Sequence, residues 1–348
     1  MSQLASGQSL DISVVIPNAR SYPHSLVEGL LQNAGQNDEI IVVKNQPARL
    51  AFWTGNNEHS GNSCRKDARS GSHSNLKRAA GRPLSHDPRL RELVCRVSGV
   101  AAARNVGWRK ATNPNILFLD DDILPPRQFL SLVRELARRP RKPGVITFRI
   151  VSPKPPEGFA RAVGSLISLD RGPSVRSSWS THLRLPFVWR FGCGAALLSP
   201  VSVLEATGGF KTHLATGRPD GGTEDAEFLW HSSRHTSVQY FGRIPVTHRM
   251  SASARYLESK LVEYGRAIGH LAGLAIQFEG TRYLDDFCAH VGSLVGHQTG
   301  PTGSASEDAR ARAAVDLTIS ETMRAFRRAC CRASREDILC ERCRSDQQ

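Results

Sequence analysis

The chain has 348 residues and a formal net charge of +14 at pH 7. That length can bury a substantial core as one large or two modest domains, and no window approaches the roughly 18 consecutive apolar residues of a membrane span. Eight cysteines are too sparse for a disulfide framework and the first ten residues lack the Lys or Arg of a secretory leader, so a cytoplasmic protein with acidic partners is expected.

In chain order, Ile12 to Ile16 is a strand-like apolar run stopped by Pro17 and Asn18. Leu26 to Leu31 reads as a short helix and Glu39 to Val43 as a second buried strand. This alternation argues for α/β architecture with a mostly parallel sheet. Residues 54–90 are rich in Gly, Ser, Asn, His and Arg, with little apolar periodicity, and read as a flexible insertion. Order returns with a helix over Ala101 to Ala111, a strand entering Asp120, an amphipathic helix over Leu130 to Arg139 and a strand over Val145 to Val151. Downstream lie an apolar segment around Gly192-Cys193-Gly194, a Gly-rich loop over 217–222 and a helix from Glu224. Short strands over Val238 to Phe241 and Ile244 to Thr247 lead to His248, and a long helix follows over Arg255 to Phe278. The polar tail after about residue 298 holds one helical segment near Ala313 to Arg328.

Residues 116–126, Ile-Leu-Phe-Leu-Asp-Asp-Asp-Ile-Leu-Pro-Pro, carry the strongest chemical signal. Three adjacent carboxylates repel one another unless a cation sits among them. Strand alternation would put Asp120 and Asp122 on one face and Asp121 on the other, giving two hard oxygen ligands suited to Mg²⁺ or Mn²⁺. A solvated acidic turn is the bland alternative. A second cluster, Gly221-Gly222-Thr223-Glu224-Asp225-Ala226-Glu227-Phe228, opens a helix. Its acids suit the helix dipole and Thr223 suits the cap, but a carboxylate beside flexible glycines also suits a general base. His248 alone is better explained as a structural residue than as a metal ligand.

Taken together, these pieces resemble the family-2 glycosyltransferases of the GT-A fold over roughly residues 11–250. Ile12 to Asn18 is similar to the family's first strand and nucleotide-facing turn, and Gly99 to Gly107 to its G-x-x-x-A-R-N-x-G segment. Phe118 to Asp122 resembles the DXD motif, and Gly192 to Leu198 with Gly208-Gly209-Phe210 resembles the acceptor-side segment. Thr223 to Phe228 resembles the E-D-x-E-F motif, and Val246-Thr247-His248 the late metal-ligand histidine. The resemblance implies a Rossmann-like, mixed but mostly parallel sheet flanked by helices over 1–250; beyond it, the residue pattern gives a helical extension over 251–298 and a polar, Cys-containing tail over 299–348. It implies Asp225 as general base with Glu224 beside it, and Asp120, Asp122 and His248 on a divalent cation. Pro17, Asn18, Arg20, Asn45, Arg104, Asp120 and Arg234 would meet the donor.

The activity so implied is inverting transfer of one sugar from a nucleotide-diphosphate sugar to a glycan, lipid-linked or small-molecule hydroxyl. Lys44 stands where the family usually carries an Asp that helps to read the base. The helix Glu227 to His235 lacks the Q-x-x-R-W signature of processive polymerases, so single transfer is expected. A nucleotidyltransferase of related fold and a non-catalytic relative are the alternatives. The former would carry a basic Gly-rich loop after the first strand, unlike Pro17-Asn18-Ala19-Arg20. No nucleic-acid partner is expected, because aromatic residues are not interleaved with the basic ones. Cys330, Cys331, Cys340 and Cys343 could hold a structural zinc or be plain thiols. The run Arg134 to Lys142 could serve the helix dipole, or peripheral contact with the inner face of a membrane.

Overall fold

The computed structural model describes residues 11–19, 22–46, 86–138, 144–152, 159, 163, 169–178, 188, 190–215, 222–249, 253–279, 287–289, 291 and 305–333. The first apolar run becomes strand β1 (Ile12–Asn18), with all seven residues buried. It pairs in parallel with β2 (Glu39–Asn45) on one side and β4 (Asn115–Leu119) on the other, while β3 (Leu90–Cys95) extends the parallel group beyond β2. β8 (Ala196–Pro200) then runs antiparallel to both β4 and β6 (Val145–Val151). β9 (Val238–His248) lies parallel to β6, and its two ends take β7 (Val175–Ser178) and β5 (Ile123–Leu124) as antiparallel partners. The resulting nine-stranded sheet has the order β3-β2-β1-β4-β8-β6-β9-β5, with β7 beside β9.

Strand residues alternate between two covered faces, which explains why the strands read as unbroken apolar runs. Val14 and Ile16 pack with Leu26, Val27 and Leu30 of α1 (His24–Leu31) and with Phe129, Leu130 and Val133 of α3 (Phe129–Ala137). Val15 and Phe118 face the other way. They pack with α2 (Val100–Lys110), α4 (Val201–Thr207) and α5 (Glu224–Ser232). Phe210 meets Phe118 edge-on at 5.1 Å and stacks on Phe228 at 4.5 Å. Such pairs add roughly 0.5–1.5 kcal/mol beyond area burial. Here they tie the aspartate-bearing strand to the acid-bearing helix.

The C-terminal part is a helix pair, α6 (Ala254–Glu279) and α7 (Ala305–Ala333). Gly265, Gly269 and Gly273 recur every fourth residue on α6 and let α7 approach closely. A Cβ at Gly265 would lie 2.6 Å from the Thr322 Oγ1, and one at Gly273 2.5 Å from the Ala329 Cβ. Leu257 and Leu261 join Ala311, Ala314 and Val315 in a small separate core with Phe159 and Val163.

Most expected elements appear within a residue or two. Three differ. β3 falls at the end of the stretch read as insertion and just beyond it, while 54–85 lie outside the described residues. The two short strands before His248 are one strand, β9, whose pairing with β6 shifts register between Phe148 and Arg149. The expected tail helix is much longer, covering 29 residues. Among the described residues, no helix is long and apolar enough to cross a membrane.

Candidate active site

The three aspartates do not continue the strand. β4 ends at Leu119, and Asp121 and Asp122 form a turn before β5. The expected alternation of faces is therefore replaced by a fan in which each carboxylate takes its own partner. Asp120 Oδ1 lies 2.8 Å from Arg104 Nη2. Asp121 Oδ2 accepts hydrogen bonds from Asn18 Nδ2 at 2.9 Å and from the Ala19 N–H at 3.2 Å, closing the turn against the end of β1. Burial outweighs these bonds and raises the Asp121 pKa. Asp122 Oδ1 lies 2.9 Å from His248 Nε2, an approach enforced by the pairing of Ile123 with His248. Burial opposes a charge on His248, but the bond to Asp122 and the charges of Asp122 and Asp120 win, so its pKa is raised.

Arg104 is the electrostatic hinge of the site. Only 2 % exposed, it lies 2.8 Å from Asp120 and 3.1 Å from Glu224 Oε1, donates to the Gly194 carbonyl at 3.3 Å, and sits over the Phe210 ring. Burial works against its charge, yet Asp120, Glu224 and Asp225 hold its pKa above the ordinary value. Glu224 is buried, and burial followed by the neighbouring Asp225 pushes its pKa well up despite Arg104. Asp225 instead lines the open cleft. Its Oδ2 accepts from the Gly194 N–H at 2.7 Å and its Oδ1 from the Ala226 N–H at 2.7 Å, which fixes the carboxylate's orientation. Thr223 occupies the N-cap position of α5, but its hydroxyl makes no capping bond. Before it, Gly222 adopts φ 93°, a backbone conformation costly for residues with a Cβ.

These groups line one cleft of about 410 Å³. Pro17, Asn18, Asn45, Arg104, Asp120, Asp122, Glu224, Asp225 and His248, all selected from sequence, border it together. Asn45 donates to the Val97 and Gly99 carbonyls at 3.0 Å each and so shapes the loop into α2. Arg234 is not among them. It is exposed beyond the C-terminal end of α5 and stacks over Trp230 at 4.1 Å, away from the acidic N-terminus. Arg20 lies outside the described residues. Lys44 pairs with Glu92 at 2.6 Å and sits over Tyr22. Cys330 is half-buried on α7, while the side chain of Cys331 and residues Cys340 and Cys343 lie outside the described residues. Arg134 of the basic run pairs with buried Asp38, and Arg139, Arg141 and Lys142 lie outside the described residues.

Sequence reasoning missed the contribution of α6. Tyr256, Lys260 and Tyr264 recur every fourth residue, fall on one helix face and line the cleft. Their spacing was visible, but in an amphipathic helix it reads as packing. Cys193 also lines the cleft. Burial first, then Asp225, pushes its thiol up to about 12.

Among the described residues, no group of three or more His, Cys, Asp or Glu side chains is gathered as a closed metal cage. The Asp122–His248 pair does offer one hard oxygen and one imidazole nitrogen at the cleft's edge. That donor set fits a divalent cation that takes the rest of its shell from water and substrate phosphate. Asp120 has one oxygen committed to Arg104.

The model of the family described as Glycosyl transferase family 2 matches residues 67–186, which include α2, β4 and the aspartates. No curated protein sequence matches. Among solved structures, the chain is similar to S. aureus TarS 1-349 at 11 % identity, covering 94 % of this chain and 93 % of that one, with a TM-score of 0.42. A complex of TarS 1-349 with UDP gives 12 % identity, the same coverage and a TM-score of 0.42. A longer S. aureus TarS structure gives 12 % identity over 92 % of this chain and 55 % of that one, with a TM-score of 0.44.

Proposed function

We propose that this chain, whose residues 67–186 match the family-2 glycosyltransferase model, is a GT-A-type enzyme that transfers one sugar from a nucleotide-diphosphate sugar to an acceptor hydroxyl with inversion. The observation that carries the reading is the single cleft shared by Asp225 and the Asp122–His248 pair, although they come from different elements far apart in sequence. In open α/β sheets, ligands bind beyond the carboxyl ends of the strands, and Asp120 follows the carboxyl end of β4 directly.

Asp225 accepts the acceptor hydroxyl's proton as that oxygen attacks the anomeric carbon, its carboxylate held in place by the Gly194 N–H. Glu224 is buried against Arg104 and acts by keeping that cation, and through it Asp120, in position. Asp122 and His248 would hold a divalent cation, which when bound supplies positive charge opposite the leaving diphosphate. Asn18 and Asn45 border the donor side.

The test is donor hydrolysis and transfer over a panel of nucleotide sugars with Mn²⁺, using full-length wild type, Asp225→Asn and Asp122→Ala. Asp225→Asn lowers turnover by roughly 10²–10⁴-fold, the usual share of a general base. Asp122→Ala removes the stimulation by Mn²⁺. Unchanged rates in both variants would overturn the assignment.

A further inference from the structure

The cleft presents a charge problem. Asp120, Asp121, Asp122, Glu224 and Asp225 all line it, and an incoming diphosphate adds further negative charge to that field. Arg104 cannot answer it. It is buried and already shared among Asp120, Glu224 and the Gly194 carbonyl.

Lys260, one turn beyond Tyr256 on α6, lines the same cleft with a side chain 20 % exposed. Its Nζ is 2.7 Å from Glu263 Oε2 and 5.9 Å from the centre of the Tyr256 ring. An ammonium carries three N–H donors, so one bond to Glu263 leaves two for a ligand. The stem is long and flexible, suited to following a phosphate group that enters and leaves. Glu263 itself lies against Gly222, just before α5, with its Cγ 3.2 Å from where a Gly222 Cβ would stand. The cation is thus aimed by a carboxylate seated between α6 and the acid-bearing helix.

We propose that Lys260 is a direct contact for the donor's diphosphate, delivered by the C-terminal helix pair, so that α6 completes the donor site. This rests on the reading of the cleft as a nucleotide-sugar site. Lys260 and His248 line the same cleft.

The experiment is calorimetric titration of the full chain, with Mn²⁺ present, by uridine, guanosine and thymidine diphosphates. The matching nucleosides are followed by saturation-transfer NMR. Wild type, Lys260→Gln and Lys260→Arg are compared. Lys260→Gln weakens the diphosphate that wild type prefers by about tenfold or more, as expected for loss of a charge-assisted hydrogen bond. The matching nucleoside's signal and the ligand-free melting temperature stay as in wild type, and Lys260→Arg recovers most of the affinity. Equal diphosphate affinity in wild type and Lys260→Gln would overturn the proposal and leave the donor reading standing. Equal losses for diphosphate and nucleoside would also overturn it, by reducing Lys260 to a packing residue. If wild type binds none of the three diphosphates, the donor reading falls and takes this contact with it.

Discussion

Replacing Arg104 by Met isolates what the buried ion network contributes. The guanidinium is 2 % exposed and Glu224 is 5 % exposed, so water cannot take over the pairing between them. Asp120 keeps a side chain 28 % exposed and can be rehydrated, so most of the cost falls on Glu224. Removing one partner of a buried pair typically costs about 3–5 kcal/mol, because the other charge is left uncompensated.

The cost depends on pH, and its sign follows from Glu224. Burial, then Asp225, raises this carboxyl from 4.5 to about 7 in the folded protein, so the folded state holds the proton more tightly than the unfolded chain does. That contribution to stability is full below the unfolded value and is lost as pH rises through the folded one. Without Arg104 the folded pKa climbs further. The variant therefore lies close to wild type at pH 5, where Glu224 is protonated, and well below it at pH 8. Urea unfolding at the two pH values reads the difference, and Arg104→Met with Glu224→Gln recovers much of the loss at pH 8. A loss below about 1 kcal/mol at pH 8, or an equal loss at both pH values, would refute the account of a buried carboxylate held ionised by one cation.

Three further outcomes follow from the geometry. Gly269→Ala presses a Cβ into the Thr322 carbonyl oxygen of α7, a rigid backbone atom, so overpacking costs about 1–3 kcal/mol, and an unchanged melting temperature would contradict the close packing. Cys193 resists iodoacetamide at pH 8 while exposed Cys288 reacts, as quantified by mass spectrometry, because burial, then Asp225, pushes the Cys193 thiol up to about 12; equal labelling would contradict this. Mn²⁺ affinity falls as pH is lowered through the raised His248 pKa, since the imidazole must shed its proton to ligate; titration with Mn²⁺ in His248→Ala loses that dependence.

The parallel half of the sheet was legible because both of its faces are covered, which turns β1, β2 and β4 into continuous apolar runs. β3 was not, because in Leu-Arg-Glu-Leu-Val-Cys only Cys95 is buried; the strand is held by pairing with β2 at the sheet's edge. β7 escaped for the same reason, as Val-Arg-Ser-Ser gives no apolar pattern. Within the site, Asp122, Asp225 and His248, selected from residue type and spacing, lie along one cleft. Sequence could not foresee that Asp120 and Glu224 share one arginine, since that depends on α2 and α5 meeting across Phe210. Arg234 follows the acidic motif closely in sequence, but a helix of nine residues carries its two ends about 13 Å apart.

The glycine face of α6 bears on the order in which the molecule is made. Three glycines within one helix cost roughly 1 kcal/mol each relative to alanine, so α6 is a poor helix by itself and depends on its neighbour. A nascent chain that has emerged as far as residue 279 already holds every described strand and every described acidic residue of the cleft. The wall bearing Tyr256, Lys260 and Tyr264 stays unsupported until α7 is synthesised and docks, so the acidic groups of the cleft are in place before the cleft itself is finished.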